Sequence, residues 1–311
     1  MIIVTGGAGF IGSNLVLALN RAGHSDILVV DNLHNGSKHR NLNRARFSDY
    51  LAKEDLLARL ASFGRVEAIL HQGACSDTTV SDGRYMMQNN YEYSKTLLHF
   101  AEERRIPFLY ASSAAVYGDG RSGFREEPAC EYPLNVYGFS KLAFDNYVRP
   151  RLRESAIPIV GLRYFNVYGP QERHKGRMAS VAQHLFDQLR AGQPMKLFEG
   201  SAEFERDFVS VDDAVAVNLH FLQRGGLGIF NCGSGEARSF LAIAETLREQ
   251  HGAGEIAYVP FPSDLQGKYQ RFTQADLQQL RAAGCEHAFT SLQHGLEQYY
   301  RTLREDDGYR R

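Results

Sequence analysis

Met1-Ile-Ile-Val-Thr-Gly-Gly-Ala-Gly-Phe-Ile-Gly-Ser-Asn-Leu-Val16 opens the chain and decides how the rest is read. Ile2 to Val4 is a short apolar run bounded at once by glycine, as a strand buried on both faces would be. Gly6, Gly9 and Gly12 follow at three-residue spacing, and Gly7, Gly9 and Gly12 satisfy G-x-G-x-x-G. Leu15, Val16 and Leu19 then recur as one apolar helix face, with Gly23 as its stop. A strand, a glycine turn and a helix N-terminus form an anion site. Unpaired N–H groups and the helix dipole converge there, and bare glycines let a pyrophosphate approach the backbone. With 29 glycines in 311 residues such a pattern is weak alone. Its context strengthens it. The next apolar run, Ile27-Leu-Val-Val30, ends in Asp31, 19 residues after Gly12, where a dinucleotide fold places the acid that bonds a ribose. The competing reading is a flavodoxin-like turn that holds no dinucleotide.

Outward from this stretch, strand-like runs alternate with helical patterns, which predicts an α/β fold with a Rossmann-type doubly wound parallel sheet. Strands are expected at Val66–His71, Ile106–Ala111 and Ile157–Leu162. Helices are expected near Lys53–Leu60, over Arg84–Arg105 and over Val136–Leu152. From Gly169 the pattern changes: a basic loop leads to an amphipathic helix from about Met178 to Leu189, and another helix is expected at 239–250. The expected division is a dinucleotide-binding domain over 1–167, to which segments near 207–235 return, and a smaller mixed substrate-binding domain over 168–311. The formal net charge of −1 gives no support for nucleic acid or a membrane surface as partner, and no apolar run is long enough to span a bilayer. The interrupted apolar start lacks a basic leader, which points to a cytoplasmic protein. Cys75, Cys130, Cys232 and Cys285 lack metal-ligand spacing and are expected as free thiols. No metal is needed.

Tyr137-Gly-Phe-Ser-Lys141 sets a phenol and an ammonium four apart, on one helix face. A nearby cation would lower the phenol pKa toward a usable general acid/base. Tyr91-Glu-Tyr-Ser-Lys95 matches the same spacing. Position separates them: the Tyr137 helix follows the strand that ends at Ser112-Ser113, and sites of open parallel sheets lie off such ends. Tyr91 and Lys95 read as structural, with Lys95 on a solvated face. His71 reads as a satisfied strand-end residue.

The glycine loop, Ser112-Ser-Ala-Ala-Val-Tyr-Gly118 and Tyr137/Lys141 together resemble the extended short-chain dehydrogenase/reductases that act on nucleotide sugars. Ser113 matches that family's serine. Ala114 and Ala115 stand where its dehydratases carry Asp-Glu, which disfavours dehydration. Arg163-Tyr-Phe-Asn-Val-Tyr-Gly-Pro170, His174-Lys-Gly-Arg-Met-Ala-Ser180, Phe198-Glu-Gly-Ser201, Arg206-Asp-Phe208 and Phe272-Thr-Gln-Ala-Asp276 look like the ADP-L-glycero-D-manno-heptose 6-epimerase subfamily, over essentially the whole chain. The 174–180 run is the distinguishing part.

The resemblance implies epimerisation at C-6 of an ADP-heptose through a transient ketone, in supply of the lipopolysaccharide core. Tyr137 and Lys175 would be the two acid/base groups, Ser113 a partner of the reacting oxygen, and Lys141 the residue that orients the ribose. Cofactor contacts are implied for Gly6, Gly9, Phe10, Ile11 and Gly12. They are likewise implied for Asp31, Asn32, Lys38, Lys53, Gln72, Gly73, Ala74, Cys75, Ser76, Asn89, Lys141 and Val167. Substrate contacts are implied for Asn166, Arg177, His184, Phe198, Glu199, Gly200, Ser201, Arg206 and Tyr269, with Arg206 as a diphosphate clamp. Gln72 stands where the subfamily favours Glu. Arg177 stands where a small residue is common, and its charge beside Lys175 would depress that amine's pKa.

Asp31 at a strand end favours NAD, because a carboxylate repels a 2′-phosphate. The subfamily prefers NADP, and Lys38 with Asn32 could receive the phosphate. NADP is therefore the expected cofactor, with NAD as the alternative. A homo-oligomer, a homopentamer, is implied. The rivals are another nucleotide-sugar epimerase such as a UDP-hexose 4-epimerase, a simple dehydrogenase, and a non-enzymatic dinucleotide sensor.

Overall fold

The computed structural model describes residues 1–261 and 270–310. β1 (Ile2–Thr5), α1 (Phe10–Arg21) and β2 (Ile27–Asp31) form the opening unit; α2 (His39–Leu42), β3 (Asp49–Ala52), α3 (Lys53–Arg59) and β4 (Ala68–His71) follow. α4 (Gly83–Met87) continues through a π turn at Gln88–Glu92 into α5 (Tyr93–Arg104), then come β5 (Phe108–Ser113), α6 (Val136–Leu152) and β6 (Ile159–Tyr164). The remainder holds β7 (Asn166–Tyr168), α7 (Val181–Arg190), β8 (Met195–Phe198), β9 (Glu205–Ser210), α8 (Val211–Arg224) and β10 (Leu227–Cys232). It closes with β11 (Ala237–Ser239), α9 (Phe240–His251), β12 (Ile256–Val259), α10 (Gln278–Ala282) and α11 (Leu292–Asp306).

Seven parallel strands lie in the order β10-β6-β5-β4-β1-β2-β3. The opening apolar run forms a central strand because both its faces are covered. Ile2, Val4, Val29, Leu70 and Leu109 pack with Leu15, Val16 and Leu19 of α1 and Phe221 of α8. Ile3, Leu28, Ile69 and Phe108 pack on the other side with Leu97 and Leu98 of α5 and Phe144 and Val148 of α6. Such two-sided burial is what a continuous apolar strand requires. Chain direction across the sheet reverses between β1 and β4, so a crevice opens at the carboxyl ends of those strands. This is the doubly wound architecture read from the opening stretch. A smaller lobe packs α7, α9 and α11 around Leu185, Phe186, Leu247 and Leu296, with a three-stranded β11-β9-β7 sheet and a β12-β8 pair.

Several boundaries differ from expectation for identifiable reasons. The strands expected from Ile106 and Ile157 begin two residues later, directly after Pro107 and Pro158, which have no N–H to give the ladder. The single helix expected over 84–105 carries a π turn in its middle. The helix expected from Met178 starts at Val181. Arg173–Met178 is instead tight helical turn broken at Gly176 (φ 54°), and Ser180 caps α7 by accepting from the Gln183 N–H. All four cysteines are free, and no helix among the described residues is long and apolar enough to cross a membrane.

Candidate active site

A cleft of about 830 Å³ occupies the switch point and runs from the glycine loop to the smaller lobe. Its floor begins at Gly6 (φ 64°), where a Cβ would meet Gly73 Cα at 2.8 Å, and at Gly12, where one would meet Gly6 O at 2.1 Å. Only glycine lets the loop fold so tightly and brings a pyrophosphate close to the backbone at the N-terminus of α1, which begins at Phe10. The cradle thus fits the dinucleotide the sequence implied.

The ribose end is defined by Asp31, which is 4% exposed. Its Oδ2 accepts from Ala8 N–H at 3.1 Å, and its Oδ1 from Asn32 N–H at 2.9 Å and from Lys38 Nζ at 2.9 Å. Lys38, expected to receive a 2′-phosphate, is thus paired with the Asp31 carboxylate. On the opposite wall Lys53 bonds Asn89.

The Gln72–Ser76 loop is pinned by a directional chain. The Ser94 hydroxyl donates to Asn90 O at 2.6 Å, so His71 Nε2 must donate to Ser94 Oγ at 2.8 Å. His71 Nδ1 then accepts from the Thr5 hydroxyl at 2.6 Å, and Thr5 Oγ1 accepts from Gly73 N–H at 3.2 Å. Burial holds His71 neutral, its pKa lowered to about 3. The reading of His71 as a satisfied strand-end residue agrees with this. The π turn contributes Asn90, whose side chain accepts from Cys75 N–H at 2.8 Å and donates to Cys75 O at 3.0 Å.

Tyr137 enters from the first turn of α6, where Asn135 caps the helix by accepting from Gly138 N–H at 2.8 Å. α6 is fixed to the sheet by a buried ionic cluster. Arg163 Nε donates to Asp145 Oδ2 at 2.9 Å and Nη2 to Glu131 Oε1 at 2.6 Å, while Tyr110 and Ser112 hydroxyls each donate to Asp145 at 2.9 Å. That cluster sets Tyr137 against Ser113, with which it is hydrogen-bonded. Although the Tyr137 ring is half-buried by surface area, its hydroxyl lies deep in the cleft, and burial raises its pKa against the lowering by Ser113. The expectation that Lys141 lowers this phenol is corrected: the Lys141 ammonium is turned to the β5 carbonyl of Ala111 at 2.8 Å. Burial brings Lys141 itself down to about 8, opposed by Asp145.

Lys175 faces the same cleft, its Nζ 5.1 Å from the Phe10 ring centroid. Burial lowers its pKa and Glu172 opposes that. Arg177 takes no part, which corrects the second electrostatic expectation. Its guanidinium donates to Asp77 Oδ2 at 2.8 Å and Thr79 Oγ1 at 2.7 Å.

All residues assigned to catalysis and to the cofactor line this cleft, as do Asn166, Val167 and Arg206. Arg206 is 4% exposed, with Nη1 donating to Glu205 O at 3.0 Å. The Asp207 carboxylate faces away, accepting from Ser234 N–H at 2.6 Å, Gly235 N–H at 2.9 Å and Ala275 N–H at 2.9 Å. Other substrate assignments fall elsewhere. Arg177 does not itself line the cleft but is bound to Asp77, which does, and His184, also outside the lining, lies near Arg177 O at 3.4 Å. Phe198 ends β8, packed on Phe261 at 5.5 Å between ring centroids, and Glu199, Gly200 and Ser201 lie in the turn after it; none of the four lines the cleft. Tyr269 lies outside the described residues. The sequence reading missed Tyr85, Thr78, Met178, Phe208 and Phe240. Met178 and Phe208 stand within the quoted motifs, whereas Phe240 carried no local signal.

A model of the NAD dependent epimerase/dehydratase family matches residues 2–233. An ADP-L-glycero-D-manno-heptose-6-epimerase from Brachyspira hyodysenteriae is 57% identical over 316 residues, covering 99% of each chain. The crystal structure of the Helicobacter pylori ADP-L-glycero-D-manno-heptose-6-epimerase superposes with a TM-score of 0.86 at 31% identity, covering 98% of this chain and 96% of that one. A UDP-glucose 4-epimerase from Thermotoga maritima, solved with UDP-glucose, reaches 0.85 at 30% identity and 98% coverage of both. With a glycine cradle, a Tyr–Lys helix and an enclosed second amine in one cleft, the chain belongs to the NAD dependent epimerase/dehydratase family, on its ADP-L-glycero-D-manno-heptose-6-epimerase branch.

Proposed function

We propose that this chain interconverts ADP-D-glycero-β-D-manno-heptose and ADP-L-glycero-β-D-manno-heptose, by transient oxidation of the C-6 carbinol to a ketone and re-reduction on the opposite face. The observation that carries this is the presence of two enclosed ionisable groups, Tyr137 and Lys175, in one cleft of a chain 57% identical to a protein of that name. A carbinol C–H is too weakly acidic for simple deprotonation, so inversion needs redox chemistry. A nicotinamide cofactor, held by the glycine loop, Asp31 and Lys141, would supply hydride exchange at C-6 and, in its oxidised form, a positive charge. The two epimers present their hydroxyls from different directions, so one acid/base group cannot serve both. Tyr137 handles the proton of one and Lys175 that of the other. Ser113 hydrogen-bonds the reacting oxygen, Lys141 holds the ribose, and Arg206 clamps the diphosphate beside Asn166.

NADP is the cofactor this reading favours. The Lys38–Asp31 pair at 2.9 Å supports it, because a neutralised carboxylate no longer repels a 2′-phosphate at Asn32. Lys38→Ala is expected to weaken NADP binding roughly 10–100-fold, the loss of a charge-assisted bond, and to leave NAD binding nearly unchanged. Equal affinity of the parent for both cofactors would remove the NADP assignment. Nucleotide sugars and nicotinamide cofactors are cytoplasmic metabolites, which supports a cytoplasmic enzyme supplying heptose to the lipopolysaccharide core. The proposed assembly is a homopentamer, checked by sedimentation.

Fold likeness does not separate this reading from a UDP-hexose 4-epimerase, since TM-scores of 0.86 and 0.85 are alike. Incubation with ADP-D-glycero-β-D-manno-heptose, followed by NMR of the heptose, does separate them. Inversion at C-6 without net reduced cofactor is expected. Stoichiometric reduced cofactor would indicate a dehydrogenase, inversion of UDP-glucose alone a hexose epimerase, and no turnover a dinucleotide sensor.

A further inference from the structure

Lys175 stands on a segment closed by one buried carboxylate. Glu172, 0% exposed, accepts through Oε1 from Gly169 N–H at 3.2 Å and the Ser180 hydroxyl at 2.6 Å, and through Oε2 from Ser180 N–H at 2.6 Å. The Tyr299 hydroxyl of α11 lies nearby and donates to Gln183 Oε1 at 3.4 Å. The carboxylate thereby joins the residue that leads into the segment to the cap of α7, looping 172–180 around Lys175. Lys175 N–H also donates to Glu172 O at 2.9 Å. Next to it Gln171, in the left-handed region (φ 79°), donates its N–H to Gly308 O at 2.8 Å and its side chain to Asn41 O at 2.8 Å. The segment is thus braced from both lobes, and Glu172 is its innermost brace.

The charged and titratable groups around Lys175 are few. Its own segment supplies Glu172, Arg173, which is paired with Asp187 and Asp307, and His174, neutral with its pKa lowered to about 4 by burial. α1 supplies the Phe10 ring. Lys38 and Asp31 act on His174 from beyond it, and Arg177 is engaged with Asp77. Glu172 is the acidic group whose field reaches the amine, where it opposes the lowering by burial.

We propose that Glu172 is the positioning residue of Lys175: its carboxylate holds the loop that aims the amine into the cleft and sets the field in which that amine exchanges a proton. This rests on the reading of Lys175 as the second acid/base group. Glutamine at 172 keeps the volume but removes the charge and turns an N–H toward the Ser180 donors. In the holoenzyme, Glu172→Gln is expected to lower kcat at least tenfold, with KM for the nucleotide sugar and cofactor affinity within about twofold. Removing a nearby negative charge lowers an amine pKa. Whichever limb of the kcat–pH profile belongs to Lys175 should therefore move to lower pH, by roughly one unit. Glu172→Asp, which keeps the charge on a shorter stem, should lower kcat with the limb in place.

A Glu172→Gln enzyme whose kcat and Tm fall together while the limb stays put would overturn the proposal. So would a Glu172→Asp enzyme with wild-type kcat, a result that remains readable if the glutamine variant does not fold. Lys175→Met separates the two levels. If it still epimerises, the two-base reading itself fails. If it is inactive while Glu172→Gln keeps a wild-type rate and profile, only the role of Glu172 fails.

Discussion

The chain carries the spacing Tyr-x-x-x-Lys in two places, and the structure puts it to two different uses. At Tyr137 and Lys141 both side chains line the cleft at the end of β5. There the lysine is 5% exposed and bonded to a strand-end carbonyl. At Tyr91 and Lys95 the pair straddles the end of the π turn and the start of α5, away from the cleft. Lys95 bonds Glu92 at 3.0 Å and lies 4.7 Å from the Tyr91 ring centroid and 5.3 Å from that of Tyr147. Four-residue spacing places two groups on one helix face in both cases. What differs is which face looks onto the carboxyl ends of the sheet. A phenol becomes an acid/base candidate through the strand end it meets, not through the lysine one turn on.

Hydroxyl removal tests that contrast at its greatest amplitude. Tyr137→Phe is expected to cut epimerisation by about 10²–10⁴, the range for loss of a general acid/base. Tyr91→Phe removes only an oxygen from a ring packed against Tyr147, edge to face at 6.1 Å, and should leave turnover within about twofold. The measurement is NMR of the heptose over time. Comparable losses from both substitutions would erase the distinction.

The next effect is on stability and separates the two lysines by sign. Burial lowers Lys141 to about 8, beneath its unfolded value. Between those values the unfolded chain binds more protons, so the Lys141 contribution rises with pH over about 8 to 10.5. Urea unfolding across that window should show the parent gaining on Lys141→Met, by on the order of 3 kcal/mol at most. A flat difference would mean that Lys141 is not desolvated as the structure places it.

What the sequence disclosed follows the reach of each interaction. The glycine loop, β1 and α1 were legible because their apolar periods and turn residues act within a few positions of one another. Tyr137, Ser113 and Lys141 were legible because a helix start and a strand end are local events that meet at a switch point. The electrostatics were not. Lys141 turns to Ala111 O, and Arg177 is taken up by Asp77, 100 residues earlier. Neither choice leaves a trace in the spacing of the motif that carries it. Phe198 to Ser201 were assigned by motif, but pairing of β8 with β12 and packing on Phe261 direct that turn elsewhere. Phe240 reaches the cleft only because α9 begins beside β9. The π turn, which delivers Asn90 to Cys75, has no apolar period of its own to distinguish it from the helix around it.

The smallest expected effect belongs to Lys95, and it runs opposite to Lys141 in pH. Its ammonium bonds Glu92, a side chain 56% exposed, and that bond raises the lysine pKa. Exposed pairs contribute about 0–1 kcal/mol, and an exposed cation over an aromatic ring about 0.5–1 kcal/mol, so Lys95→Met should cost about 1 kcal/mol or less. Activity should stay within about twofold, because neither Tyr91 nor Lys95 lines the cleft. A group whose folded pKa is raised stabilises below its unfolded pKa, and the gain disappears as pH rises through the folded value. The deficit of Lys95→Met should therefore be full near neutrality, shrink above about pH 10.5, and be reduced by salt. For Lys141→Met the parent gains its advantage at lower pH, over about 8 to 10.5. If the two differences ran parallel with pH, burial would not be what distinguishes one Tyr-x-x-x-Lys from the other.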